Sequence, residues 1–271
     1  MLISYSVKNF QSFLDTVSVD WSQNAHVPET DWVATSESGA RVAKVMAVLG
    51  HNASGKTALL KSLVFLEWFI SRSFNALPDA KIPVFPHFLT TDKTVEFEMV
   101  TEVDNQLWRY ELRCNKERVL HEALYKKRER FSYVFVRDWD ETKQQYKVKQ
   151  QDFGFPSGKA EIACNQRQNA SLISIAAQHG VPLAIDRVTR SLSSNIASTG
   201  RIHSSAEHVF SVAEIFANNV EYANWMINLL RSWDLGLSNI EFKEKFIEQE
   251  NGSTIKKWIP LGIHHINKQN F

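Results

Sequence analysis

Apolar and polar residues alternate from the start of the chain. In Leu2-Ile3-Ser4-Tyr5-Ser6-Val7 the alternation predicts a strand, and Leu14, Val17, Val19 and Trp21 continue it over Phe13 to Trp21, with Asn9 to Ser12 as the turn. Ser22 to Gly39 is polar and loop-like. Val42 to Leu49 is nearly all apolar, which predicts a strand buried on both faces of a mixed or parallel sheet. From Lys56 onward Leu59, Leu60, Leu63, Val64 and Phe65 recur at helical spacing. That spacing predicts a helix ending near Asn75, ahead of the proline-punctuated stretch Leu77 to Pro86.

An antiparallel meander is predicted next. Val95 to Val100 and Leu107 to Arg113 flank an Asp104-Asn105 turn, and Val119 to Lys127, Phe131 to Val136 and Gln145 to Lys149 keep the alternation. Gln150 to Gln168 reads as loop and Asn169 to His179 as a short helix, with Leu172, Ile173, Ile175 and Ala176 on its apolar face. Ser191 to Ser205 is rich in Ser, Thr, Asn and Gly, as an exposed loop is. Glu207 to Trp233 predicts one long amphipathic helix, closed by Gly236. Ile240 to Ile247 and Thr254 to Ile259 are strands about an Asn251-Gly252 turn. The pattern is that of a mixed α/β chain.

Between the buried strand and the helix lies Gly50-His51-Asn52-Ala53-Ser54-Gly55-Lys56-Thr57, which fits G-x-x-x-x-G-K-[ST]. Glycines let a backbone wrap closely around phosphate oxygens, with successive N–H groups turned inward. A helix beginning there adds its partial positive charge. In this pattern Lys56 reaches the β- and γ-phosphates and the Thr57 hydroxyl coordinates Mg²⁺. By average residue frequencies a chain of this length shows the bare pattern by chance roughly 1% of the time. The strand before it and the helix after it lower that figure. The ligand expected is ATP with Mg²⁺.

Composition narrows the picture only a little. The 271 residues are 44% hydrophobic and 23% charged, with a net charge of +1 that offers no global field for nucleic acid. Two cysteines without CxxC spacing make no disulfide framework, and no signal-peptide layout or membrane-length apolar stretch is present. The expectation is a cytoplasmic protein with no membrane segment.

Beyond the phosphate loop, Lys8-Asn9-Phe10-Gln11-Ser12-Phe13 resembles the N-terminal hairpin of RecF-, SMC- and Rad-type ATPases, and Gly-x-Asn-x-Ser-Gly-Lys-Thr is closer to ABC- and SMC-type loops than to those of small GTPases. Pro86-His87-Phe88, Val95-Glu96-Phe97-Glu98, Trp108-Arg109-Tyr110-Glu111, His121 to Tyr125, Asn169 to Ser174 and Trp233 to Leu237 follow in order. Together they resemble the AAA-type, ABC-like ATPases of bacterial anti-phage and abortive-infection loci, relatives of RloA and AbiL. The resemblance implies a P-loop NTPase of ABC/SMC-head type. Its N-terminal lobe would cover residues 1–185 with a β-meander at about 93–150, followed by a helical or lid segment at 186–235 and return strands at 236–271. It also implies Asn9 and Ser12 as extra nucleotide contacts, association of ATPase heads into a homo-oligomer, and a nuclease-like effector as partner. A RecF- or SMC-like repair ATPase and a nucleotide-binding scaffold without turnover are the competing readings.

Departures from that family pattern are as informative. No signature Ser-Gly motif, Asp-Glu strand or switch histidine follows, and His87 stands in the Q-loop neighbourhood. Val181 to Arg187 contains Pro182 and has Arg where Glu is needed, and Tyr133 to Asp138 reads as a hairpin arm. The expectation is the N-terminal part of a longer ATPase, or half of a split one, with hydrolysis dependent on residues from outside.

Two other features stand out. Lys126, Lys127, Arg128 and Arg130, joined by Lys143, Lys147 and Lys149, offer a DNA or RNA backbone surface, against the commoner reading of a solvated hairpin rim. Trp225 and Trp233 read as packing or as a partner surface, while the adjacent His264-His265 lack metal-ligand spacing and His203 and His208 lack a third ligand.

Overall fold

The structure, a computed structural model, describes residues 1–36, 38–156, 158–189, 206–233, 235–248, 254–266 and 269–270. The chain forms two compact units, Met1–Arg201 and Ile202–Phe271. Among the described residues there are six α-helices and three sheets.

The first unit is built on a seven-stranded, wholly antiparallel sheet. Its strands are β1 (Leu2–Lys8), β2 (Val17–Asp20), β5 (Val95–Val103), β6 (Gln106–Cys114), β7 (Val119–Lys127), β8 (Phe131–Asp140) and β9 (Gln145–Gln150), in the order β2-β1-β5-β6-β7-β8-β9. The meander is thus one hairpin after another, with Asp104 and Asn105 both at positive φ in the β5–β6 turn. Two short strands, β3 (Val33–Thr35) and β4 (Arg41–Ala43), pair separately.

On one sheet face lies α1 (Lys56–Arg72). Its buried residues Ala58, Leu59, Ser62, Phe65, Leu66, Phe69 and Ile70 recur at helical spacing. Phe65 stacks on Phe97 at 5.2 Å between ring centroids and meets Phe10 at 6.5 Å, so the aromatic centre of the core joins the β1–β2 connection, β5 and the helix. Three shorter helices, α2 (Ala160–Gln166), α3 (Leu172–Gln178) and α4 (Pro182–Thr189), complete this unit. The second unit holds α5 (Ala206–Ala217), α6 (Val220–Ser232) and the hairpin β10 (Leu237–Glu248) and β11 (Thr254–Ile266), with β12 (Gln269–Asn270) paired to the end of β11.

Several sequence expectations change. The strand expected over Val42 to Leu49 is realised only as β4. A ladder needs neighbours, and none of the described strands runs beside Val45 to Leu49, where Val45 and Leu49 stand 62% and 88% exposed. The helix expected over Glu207 to Trp233 is two, because the Asn219 side chain accepts from the Tyr222 N–H and restarts the helix as an N-cap. Gln150 to Gln168 contains α2. Val181 to Arg187 falls largely in α4, with Pro182 in the first turn where its missing N–H costs nothing, so it is no acidic strand. Ser191 to Ser205 lies outside the described residues.

Candidate functional site

The phosphate-loop residues sit at the N-terminus of α1. Gly55 is the residue before the helix, at φ 92° and ψ 3°. A Cβ there would stand 2.8 Å from Cε1 of Phe13 and 3.5 Å from Cβ of Ser12, so only glycine lets the β1–β2 connection close against the loop. Ala53 also has positive φ, at 63°. The Lys56 ammonium donates to the carbonyls of Gly50 (2.7 Å) and His51 (2.6 Å), and Ser54 N–H donates to His51 O (3.2 Å). Lys56 therefore draws the loop into a ring at the helix end. His51, Asn52, Ser54 and Thr57 are exposed around it.

That donor set suits an anion with several oxygens. The first-turn N–H groups of α1 have no intrahelical acceptor, the loop backbone is open to solvent, and one lysine sits at its centre. α1 has no acidic residue in its first turn to oppose an anion, and its last turn carries Arg72. The Thr57 hydroxyl at the rim is the residue of this set that could hold Mg²⁺. Among the described residues no group of three or more His, Cys, Asp or Glu is placed to hold a metal.

Ser12 and Asn9, the two residues taken from the hairpin resemblance, part company here. Ser12 lies beside Gly55, whereas the Asn9 side chain is committed elsewhere. Its amide donates to the carbonyls of Asp92 (2.9 Å) and Thr94 (2.8 Å), and its oxygen accepts from His87 N–H (3.0 Å). Asn9, buried and at φ 57°, holds the turn to the segment before β5. His87 is placed by that turn.

The basic cluster is divided. Lys126 to Arg130 lie at the β7–β8 turn, and Lys143 lies at the β8–β9 turn, with the ten residues of β8 (about 30 Å) between the two ends. Arg128 pairs with Asp152 (3.1 Å), Lys126 lies over the Trp108 ring, and Lys147 pairs with Asp140 (2.8 Å). Lys143 therefore stands apart from the first cluster, whereas Lys149, opposite Val136, lies midway along β8. On the outer sheet face His121 sits between Asp138 (2.7 Å) and Glu111 (3.6 Å). The Glu111 bond, with help from Asp138, raises the imidazole above its ordinary value, and the same bond lowers Glu111.

At the far end of α1 the structure assembles a group of residues that sequence reading did not single out. Glu122 of β7 and Arg137 of β8 are directly opposite in register, fully buried, and 3.3 Å apart. Glu122 also accepts from Tyr110 Oη (2.9 Å), Ser171 Oγ (2.7 Å) and the Leu172 N–H (2.8 Å). Arg137 donates to the carbonyls of Ala170 (2.7 Å) and Arg167 (3.3 Å). Burial, then the Glu122 charge, pushes the Tyr110 phenol well up, so it stays a donor. Burial also raises Cys164, to about 11. Asn169, Arg167 and Ser171 reach from this cluster to residues 73–80, the segment that directly follows α1. Asn169 donates to Leu77 O and Ala80 O, Arg167 to Phe74 O (2.7 Å) and Ala76 O (2.6 Å), and the Ser171 N–H to Ser73 Oγ (2.8 Å). A signal was present in the sequence, since Glu122 and Arg137 both fall at core-facing parity in their strands.

A glycine-bounded loop closed by lysine at the start of a core helix, beside an antiparallel sheet, makes this a mixed α/β chain with a phosphate-loop motif, and its family match makes the class that of P-loop NTPases. Residues 45–248 match the family described as "AAA domain, putative AbiEii toxin, Type IV TA system", and the chain belongs to that family. Membership places it among AAA-type ATPase domains of abortive-infection and toxin–antitoxin type, a class that uses nucleotide. No curated protein matches the chain. Among the described residues no helix is long and apolar enough to cross a membrane.

Proposed function

We propose that the chain binds ATP with Mg²⁺ through Gly50, His51, Asn52, Ala53, Ser54, Gly55, Lys56 and Thr57, as the nucleotide-binding part of a defence ATPase of ABC-like type. The observation that carries this reading is Lys56, tied to the loop's own carbonyls at the open N-terminus of α1. Here the Lys56 ammonium would neutralise phosphate charge, the loop N–H groups would donate to phosphate oxygens, and Thr57 would hold Mg²⁺. Ser12 adjoins the loop and supports a further contact; Asn9 acts by fixing the turn. Nucleotide would drive association of two heads, and that association would control a nuclease-like effector.

A second reading is favoured by the described acidic residues. Neither Val181 to Arg187, which falls largely in α4, nor Tyr133 to Asp138, which is a hairpin arm, is a strand ending beside the loop in an Asp-Glu pair. On this reading the acidic groups for turnover come from outside this chain, which alone would hold nucleotide without hydrolysing it.

Titration calorimetry with ATP and Mg²⁺ tests both. Binding by the native chain and its loss in Lys56→Ala is the expected result, and retained affinity in the variant sinks the loop assignment. Phosphate release by the purified chain should be negligible; robust turnover that disappears with Lys56→Ala would overturn the second reading and leave the first standing.

A further inference from the structure

The second unit displays an apolar stripe that nothing in the nucleotide reading uses. α6 turns one side inward, with Ala223 buried and Met226, Ile227 and Leu230 half-buried as the helix lies against α5 and β10. A second stripe runs along its other side at spacings of three and four residues: Tyr222, Trp225, Leu229 and Trp233. Tyr222, Trp225 and Trp233 are 60%, 63% and 59% exposed, and Leu235 just beyond is 52% exposed. Large aromatic side chains in an exposed row are the residue types that dominate binding energy at protein interfaces.

We propose that this stripe is a self-association surface on which α6 of a second copy packs antiparallel across a twofold axis. Area is the first reason. Each of the three aromatics leaves on the order of 100–150 Å² uncovered, roughly 400 Å² per copy. With Leu229 and Leu235 added on both sides, the pair buries about 1,000 Å², the size at which a specific interface begins. Orientation is the second consideration. The charged residues of α6, Glu221 in its first turn and Arg231 in its last, lie off the stripe, so no charge interrupts it. An antiparallel pair opposes the helix dipoles, whereas a parallel pair aligns like with like. The same arrangement brings Tyr222 of one copy to the level of Trp233 of the other, with Trp225 and Leu229 on either side of the centre. A twofold contact needs one self-complementary patch, and this stripe is one. The contact is independent of the phosphate loop.

Sedimentation velocity of the full 271-residue chain, without nucleotide, over a range of micromolar concentrations tests the proposal. A concentration-dependent mass of two copies is expected, unchanged by Lys56→Ala. Trp225→Glu should weaken the dimer by roughly tenfold or more, with an unchanged circular-dichroism spectrum. Should that variant fold poorly, the exposed double variant Tyr222→Ser, Trp233→Gln serves in its place. Mixed Tyr222→Cys and Trp233→Cys chains should cross-link to each other on oxidation, since the native Cys114 and Cys164 are buried. A chain that stays monomeric throughout, a dimer indifferent to these substitutions, or a dimer that appears only with ATP would overturn it.

Discussion

The two ends of α1 are held in opposite ways. At its N-terminus the helix begins without a side-chain cap, on a glycine at positive φ, and a single lysine closes the loop from an open position. At its C-terminus Arg167, Asn169, Ser171 and Ser174 take up the backbone groups and hydroxyl of residues 73–80, and Glu122 and Arg137 anchor these residues from the sheet. A helix that must offer its first N–H groups to a ligand cannot also spend them on its own chain. The contrast teaches where rigidity comes from: the far end is over-determined so that the near end can be left open.

Substituting within the anchor gives the largest stability effect. Glu122→Ala leaves the Arg137 guanidinium buried with no carboxylate and removes the acceptor of Tyr110, Ser171 and Leu172. The expected loss is about 3–5 kcal/mol, read from urea unfolding. A loss below about 1 kcal/mol would mean that the anchor is not what holds the C-terminal end.

The next effect lies at the other end. Gly55→Ala places a side chain in the left-handed region and sets its Cβ against Phe13, at a cost of roughly 1–3 kcal/mol. Because the cost falls on the loop, nucleotide affinity in calorimetry should drop together with the unfolding midpoint. Ser171→Ala should cost about 0.5–2 kcal/mol, through loss of the α3 cap and of one donor to Glu122. Its nucleotide affinity should stay near that of the native chain. If Ser171→Ala weakened binding as much as Gly55→Ala, the two ends would not be separable.

These two regions also differ in how far the sequence disclosed them. Gly50 to Thr57 is legible because its chemistry is local: two glycines, a lysine and a threonine at set spacing, with helical periodicity directly after. The meander is legible for the same reason, as period-two alternation broken by turn residues such as Asp104-Asn105. Glu122 and Arg137 meet only through the register of β7 with β8, and their other partners come from Tyr110 of β6 and from residues 164–172, so no local window contains the anchor. Val42 to Leu49 shows the complementary limit: apolar content says that a run favours burial, and is silent on which strand would lie beside it. At Asn218-Asn219 the apolar spacing carries across the break, and only the capping side chain of Asn219 marks the new start.

The smallest stability effect should accompany the largest loss of binding. Lys56 contacts only the carbonyls of Gly50 and His51, in a loop open to solvent, and its two hydrogen bonds can be replaced by water. Lys56→Ala also puts the best helix former in the first position of α1, which offsets part of what the lost tie contributed. Its unfolding free energy should therefore lie within about 0.5 kcal/mol of the native value. Calorimetry on the same samples should show no ATP binding. A variant that lost several kcal/mol as well would show that the loop is part of the scaffold, and the opposition between the ends of α1 would fail. A variant as stable as the native chain and unable to bind would locate the work of Lys56 in the phosphate contact alone.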